Sequence, residues 1–262
     1  MVFEVQVIPI KTSVIKLKSN LVKVVLEAIK KQGLEFKDND ILVLSSKIVS
    51  FAKGRVIRLS AVAPSEKAKI MAERYDLSPA FAELILQRAD RILGGVKKAV
   101  LTLNNSVFTV NAGIDNKNAP KGFVVLWPKN PQLQAEHIRK EIFHHIGRKV
   151  GVLIVDSTVA PLRWGTRGLA IGVAGFEPVK DYRQTRDLFK KEIAITLQAV
   201  ADDLASAAHV VMGEAAEQTP MAIIRDAPVT FTEKVDAEMM KIAFDNCAYM
   251  GAFKLKRSYK IS

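Results

Sequence analysis

A chain of 262 residues, 49% of them apolar, can bury the core of one large domain or of two moderate ones, and no stretch approaches the roughly 20 continuous apolar residues of a membrane helix. The 39 Lys and Arg against 27 Asp and Glu leave a formal charge of +12, which favours anionic partners through the long-range field. The basic residues are scattered, and the densest cluster, Lys254, Lys256, Arg257 and Lys260 with only Tyr259 interleaved, reads as a solvated tail; this points to a polyanionic small molecule and away from nucleic acid and membrane.

The opening residues alternate as a strand over 2–8 and lack a signal peptide's basic start and apolar middle, so a cytoplasmic protein is expected. Leu21, Val24, Val25, Ala28 and Ile29 recur at helical spacing and predict a helix from Asn20 to Gln32, stopped by Gly33. A second strand, Asp40 to Ser45, opens into a polar and basic passage from Ser45 to Arg55 that reads as a nucleotide loop or a hairpin turn. Helices are predicted at about 64–75 and 78–89, the second with Ser78 as N-cap and Pro79 in its first turn. Ala99–Leu103 and Val107–Val110 flank Asn104-Asn105 as a hairpin that runs into Asn111–Asp115. A polar helix from about 132 to 145 ends at Gly147 and leads into an apolar strand from Gly151. An Ala-rich helix is predicted over about 192–212 with Ile193, Leu197, Val200, Leu204 and Val211 on one face, then a strand near 221–225 and a helix near 233–249. The single cysteine, Cys247, excludes an internal disulfide and a Cys-based zinc cluster and is assigned to buried packing.

Strands alternating with helices give the α/β class, mixed α+β. A discontinuous architecture is expected, with 1–94 and about 191–262 forming a nucleotide-binding lobe and the strand- and glycine-rich stretch from about 95 to 190 forming another. The densest chemistry lies in GVLIVDSTVAPLRWGTRGLAIGVAG, residues 151–175, where a buried-looking strand delivers Asp156 and Ser157 at its carboxyl end and Arg163 and Arg167 follow in a polar loop. Asp115 and Glu214 also stand where an element ends, and such oxygen-only groups suit Mg²⁺ or Mn²⁺. Taken singly, each acid reads more readily as a cap or turn former; Asp156 resists that reading because its surroundings are so apolar. His137, Glu141, His144 and His145 share one helix, but no two histidines have the i, i+4 spacing of a zinc helix. Neither a P-loop, nor G-x-G-x-x-G, nor a G-x-S-x-G elbow is present, so a nucleotide here needs another frame and a serine hydrolase is disfavoured.

Six ordered blocks, DILVLSSKIVS, VNAGIDNKN, VGVLIVDS, RGLAIGVAGF, DYRQTRDLF and AVADDLASAAHVVMGEAAE, resemble the coenzyme F420-0:γ-glutamyl ligase family over roughly residues 5–225. The resemblance implies a two-lobed homodimeric fold, neither P-loop nor Rossmann. It implies a GTP- and metal-dependent amide ligase that adds L-glutamate by γ-linkage to a deazaflavin with a lactyl phosphodiester. By motif match, Asp115, Asp156, Ser157 and Glu214 resemble ligands of two Mg²⁺ or Mn²⁺ ions, with K⁺ a further candidate; Asn118, Ser46 and Thr12, Ser13, Val14 and Ile15 resemble the GTP cradle. Activating a carboxylate as an acyl phosphate needs metal and in-line cations, for which Lys47, Arg163 and Arg167 are the candidates. Attack by the amine then needs positioning more than a protein nucleophile.

The chain also departs from the family pattern. Phe51 replaces an expected lysine and Lys53 an acid, with Lys47 or Lys53 available to compensate. Gln184 and Lys190 replace glycines in a loop that needs positive φ, and the stretch from Ser157 to Gly168 differs as well. The acceptor is therefore open between F420-0 and a folate, because relatives of the family are thought to add γ-glutamates to folates. A silent nucleotide- or polyanion-binding homologue is the contrasting reading, and retention of all three acids argues against it.

Overall fold

In the computed structural model, which describes residues 4–252, the chain alternates between strand and helix from its start; the basic cluster at 254–260 lies outside the described residues. Strand β1 (Gln6–Ile10) is followed by α1 (Leu21–Lys31), β2 (Ile41–Ser45), α2 (Ser46–Ala52), β3 (Val56–Arg58), α3 (Glu66–Tyr75) and α4 (Pro79–Arg88). Next come β4 (Arg91–Val96), β5 (Ala99–Asn104), β6 (Val107–Val110), β7 (Phe123–Val125), α5 (Pro131–Ile146), β8 (Gly151–Val159) and β9 (Thr166–Ala174). The rest is β10 (Lys180–Asp181), β11 (Leu197–Gln198), α6 (Val200–Met212), β12 (Met221–Arg225) and α7 (Ala248–Ala252). The fold is mixed α/β, and no described helix is long and apolar enough to cross a membrane.

Helix starts follow their caps. The side chains of Asn20, Ser65 and Ser78 accept backbone N–H groups of Lys23, Ala68 and Phe81, which satisfies donors that a helix start leaves orphaned. The most apolar strands sit where neither face meets water. β1, β12, β2, β8 and β9 form one sheet in that order, with β2 and β8 parallel and the other neighbours antiparallel. Leu42, Leu44, Val152 and Ile154 face α1, α2 and α5, whereas Ile41, Val43, Leu153 and Ile224 face α6. Alternate residues therefore feed two cores, and this is why ILVL and VLIV run without polar interruption. α6 comes so close to β9 that a Cβ on Gly168 would lie 2.3 Å from the Ala205 backbone. A third core joins α3 and α4 to Val100, Ala112, Ile114, Val124 and Leu126.

Several expectations are corrected. The passage after Ser45 is neither loop nor hairpin: Ser45 caps the helix α2, and Ile48, Val49 and Ala52 give it a buried face. β8 does not end at Asp156 and Ser157 but runs on to Val159, and Arg167 lies on β9 rather than in a loop. The 192–212 helix begins only at Val200, because Ile193 and Leu197 belong to a long hairpin arm closed by Tyr182 N–H to Thr196 and Gln184 N–H to Ile193. The 233–249 helix breaks into 3-10 turns at Ala237–Met240 and Phe244–Asn246, neither of which buries a residue. β4 went unseen, and the hairpin turn is Asn105-Ser106, both left-handed, while Asn104 closes β5. Cys247 is only half-buried. The smaller packed body comprises elements between about 57 and 126, and β8 and β9 sit in the same sheet as β1, β2 and β12. The boundaries at 95 and 190 therefore do not follow the packing.

Candidate active site

Parallel strands leave their carboxyl ends side by side, and open sheets bind ligands in the crevice beyond them. Here the last rung between β2 and β8 is Ser45 to Val155, and Asp156 is the next residue. A cleft of about 350 Å³ opens at this point. Its walls come from the loop after β1 (Thr12, Ser13, Val14, Ile15), the β2–α2 junction (Ser46, Lys47, Phe51), the turn after β6 (Asp115, Asn118), β8 (Asp156, Ser157), and the end of α6 with its following loop (His209, Glu214, Glu217). The loops are tied to one another through the main chain: Thr12 N–H donates to Gln218, Ser45 N–H to Pro220, and the Asn118 amide to the Ala215 carbonyl at 2.7 Å.

Asp156 forms the floor. Its carboxylate accepts the Ser157 N–H at 2.9 Å and the Trp127 indole N–H at 2.5 Å. Burial pushes its pKa up to about 6; the Ser157, Trp127 and Ser46 hydrogen bonds oppose that rise, and the neighbouring charge of Asp115 adds to it. Asp115 arrives on a tight turn in which Asn111, Ala112 and Gly113 are all left-handed. The Asn111 side chain accepts Val100 N–H, and the Asn104 side chain donates to the Ala112 carbonyl at 2.8 Å, which fixes the turn. Lys47 Nζ lies 2.7 Å from Asp115 and supplies a positive charge beside it. Glu214 follows α6, and one of its oxygens accepts Thr166 Oγ1 at 2.9 Å and His209 Nε2 at 2.6 Å. Burial would raise its pKa, but the His209 and Thr166 hydrogen bonds outweigh burial and hold it below the usual carboxylate range.

Eleven of the residues singled out from the sequence line this one cleft: Thr12, Ser13, Val14, Ile15, Ser46, Lys47, Asp115, Asn118, Asp156, Ser157 and Glu214. Arg163 and Arg167 do not. Both are exposed, Arg163 at the tip of the β8–β9 hairpin and Arg167 opposite Thr158, where its charge acts on Asp202. The three acids share the cleft, but among the described residues no three His, Cys, Asp or Glu side chains converge as a ready-made metal cage. Sequence reasoning missed Trp127, Thr166 and His209. His209, in the last turn of α6 and five residues before Glu214, was the most readable of them; nothing in spacing marked the other two.

A family model described as F420-0:Gamma-glutamyl ligase matches residues 9–226, a stretch that holds every one of the eleven cleft residues. The chain belongs to the F420-0:γ-glutamyl ligase family. Proteins named Coenzyme F420:L-glutamate ligase are similar to it: 41% identity to that of Methanocaldococcus jannaschii over 74% of this chain and 78% of the relative. The Methanopyrus kandleri protein is 38% identical over 74% and 77%, and a Methanococcus maripaludis protein 37% identical over 82% and 86%.

The family is one of ligases, and the departures from its pattern now have places in the structure. Phe51 lines the cleft where a lysine was expected. Lys53 faces a second cavity instead, beside Lys18 and Gln134, so Lys47 is the cation left in position. Gln184 and Lys190 both take φ of +64°, so the arm keeps the glycine conformation without the glycines.

Proposed function

We propose that this member of the ligase family joins L-glutamate to the terminal carboxylate of F420-0 in the cleft between β2, β8 and α6, at the expense of GTP. The observation that carries the proposal is the convergence on one cleft of side chains drawn from Thr12 through Glu214, five separate segments of the chain. The cleft has the donor set that phosphoryl transfer demands. Asp115 and Asp156 are close enough for the charge of one to raise the pKa of the other. A hard divalent cation relieves that repulsion, and carboxylate and hydroxyl oxygens are the ligands it takes, with phosphate and water completing its shell. Asp115, Asp156, Ser157 and Glu214 would hold it. Bound there, Mg²⁺ or Mn²⁺ offsets the charge that builds on the transferred phosphoryl oxygens.

The chain's own groups do the positioning. Thr12, Ser13, Ser46 and Asn118 present hydroxyl and amide groups to the nucleotide, and Lys47 stands beside Asp115 as the cation nearest the floor. The acceptor's carboxylate oxygen attacks the γ-phosphorus and GDP leaves, giving an acyl phosphate. The glutamate amine then attacks the acyl carbon, inorganic phosphate departs, and the amine's proton passes to solvent. No serine or cysteine nucleophile is needed.

The arms complete the proposal as a homodimer. Leu162 and Trp164 at the β8–β9 tip are fully exposed, and Leu188, Phe189 and Ile195 on the β10–β11 arm are nearly so. Bare apolar side chains in such number mark a surface that another surface covers, and the occupant proposed is a second copy of this chain. The test of function is to incubate the protein with GTP or ATP, Mg²⁺ or Mn²⁺ and glutamate, offering F420-0 in one arm and a reduced folate in the other. A gain of one glutamyl mass on F420-0 is expected. A gain on the folate alone reassigns the acceptor, and no gain on either with no nucleotide turnover refutes the ligase reading.

A further inference from the structure

Trp127 is one of two tryptophans in the chain and the only one inside it: 8% exposed, against 105% for Trp164. It follows β7 and its main chain is pinned, with Arg55 Nε donating to the Trp127 carbonyl at 2.8 Å and Leu126 N–H to the Arg55 carbonyl. Its five-membered ring meets Asp156 directly and, through Gly113, the turn that carries Asp115. The indole N–H donates to Asp156 Oδ2. The same five-membered ring lies against the turn that carries Asp115: a Cβ on Gly113 would sit 2.8 Å from Trp127 Cδ1 and Cγ, and Gly113 has φ of +67°. Only glycine meets both demands there, the positive φ and the contact with the ring.

We infer that Trp127 is the positioning residue that sets the separation of Asp115 and Asp156, and so the affinity of the cleft for a divalent cation. The inference rests on the ligand set proposed above. A carboxylate whose oxygen is held by a fixed donor loses little freedom when it takes a cation, and removal of such outer partners costs about 10- to 100-fold in metal affinity. The indole serves Asp156 by a hydrogen bond and Asp115 by shape, so one rigid body indexes both.

Two measurements test this without reference to turnover. In Trp164→Phe protein, Trp127 is the sole indole, and titration with paramagnetic Mn²⁺ is expected to quench its emission in step with the binding seen by the loss of free Mn²⁺ signal in electron paramagnetic resonance. Mn²⁺ that binds while Trp127 emission stays unchanged overturns the inference, and this protein leaves Trp127 itself untouched, so folding of a Trp127 variant is not at issue. Trp127→Phe keeps an aromatic body and removes the N–H; Mn²⁺ binding is expected to weaken about 10-fold or more, and the same change in an Asp156→Asn background to have no further effect. Equal Mn²⁺ affinity in Trp127→Phe and the parent refutes the positioning role while leaving the proposed metal site intact. Absence of Mn²⁺ binding by the parent protein removes the metal site and this inference together.

Discussion

Along β8 and the turn beyond it the chain passes, within eight residues, from side chains that are tightly held to side chains with nothing to touch. Asp156 has indole, hydroxyl and main-chain donors around it, whereas Leu162 and Trp164 project fully into solvent. The same contrast separates the turn of Asp115, fixed by Asn104, Asn111 and Trp127, from the β10–β11 arm, where Leu188 and Phe189 are bare. The cleft is organised within one chain, while the arms leave apolar surface that one chain does not cover. This split makes the two regions separable by experiment: damage to the cleft should spare the proposed association, and damage to the arms should spare the proposed cation site.

The largest effect is expected from Asp156→Asn. Turnover should fall by at least about 10²-fold, since a ligand of the cation proposed to offset the transition-state charge is lost, while size-exclusion behaviour stays that of the parent. The same variant should change stability in the opposite sense. In metal-free protein Asp156 holds its proton more firmly when folded, with a pKa of about 6 against an ordinary value of 3.8. Its contribution to stability is therefore full below pH 3.8 and is lost as the pH rises through about 6. Urea melts without divalent ions should show Asp156→Asn more stable than the parent by about 2 to 3 kcal/mol at pH 7, the gap closing towards pH 4. A parent as stable as the variant across that range would mean that the floor of the cleft does not strain the buried charge.

The arm is probed by Trp164→Glu. A buried aromatic anchor at an interface contributes about 2 kcal/mol or more, so light scattering at micromolar concentration should show the mass halve while Mn²⁺ affinity stays within twofold. A parent that is already monomeric contradicts the reading of the arms. The smallest effect concerns Gln184 and Lys190, each at φ of +64°. Left-handed backbone costs a non-glycine residue about 1 to 2 kcal/mol, and the extra freedom of unfolded glycine returns part of it. Lys190→Gly should thus stabilise by less than about 1 kcal/mol in a urea melt.

The parts of the fold legible in sequence are those decided locally. Asn20, Ser65 and Ser78 bring their own caps, and β12 was placed residue for residue because MAIIR is bounded by Pro220 and Asp226. Failures came where a distant partner decides. The spacing of Ile193, Leu197 and Val200 suits a helix, yet the first two are held in a hairpin by residues 181–185. Asp156 was visible through its apolar strand, but the cleft that unites it with Thr12 and Glu214 depends on the sheet order β1-β12-β2-β8-β9, which no local pattern encodes. Trp127 carried no signal in spacing, and its contact with Asp156 follows only from the fold that brings the residue after β7 to β8. Arg163 was drawn towards the phosphate by its charge, although it is exposed at the hairpin tip and does not line the cleft.

The central claim, that this cleft activates a carboxylate by phosphoryl transfer and passes it to glutamate, is met most directly by an isotope. F420-0 labelled with ¹⁸O in its terminal carboxylate should deliver one ¹⁸O to the inorganic phosphate for each glutamyl bond formed with GTP and Mn²⁺, and Asp156→Asn should abolish label transfer and product together. Glutamylated product accompanied by unlabelled phosphate would contradict the claim.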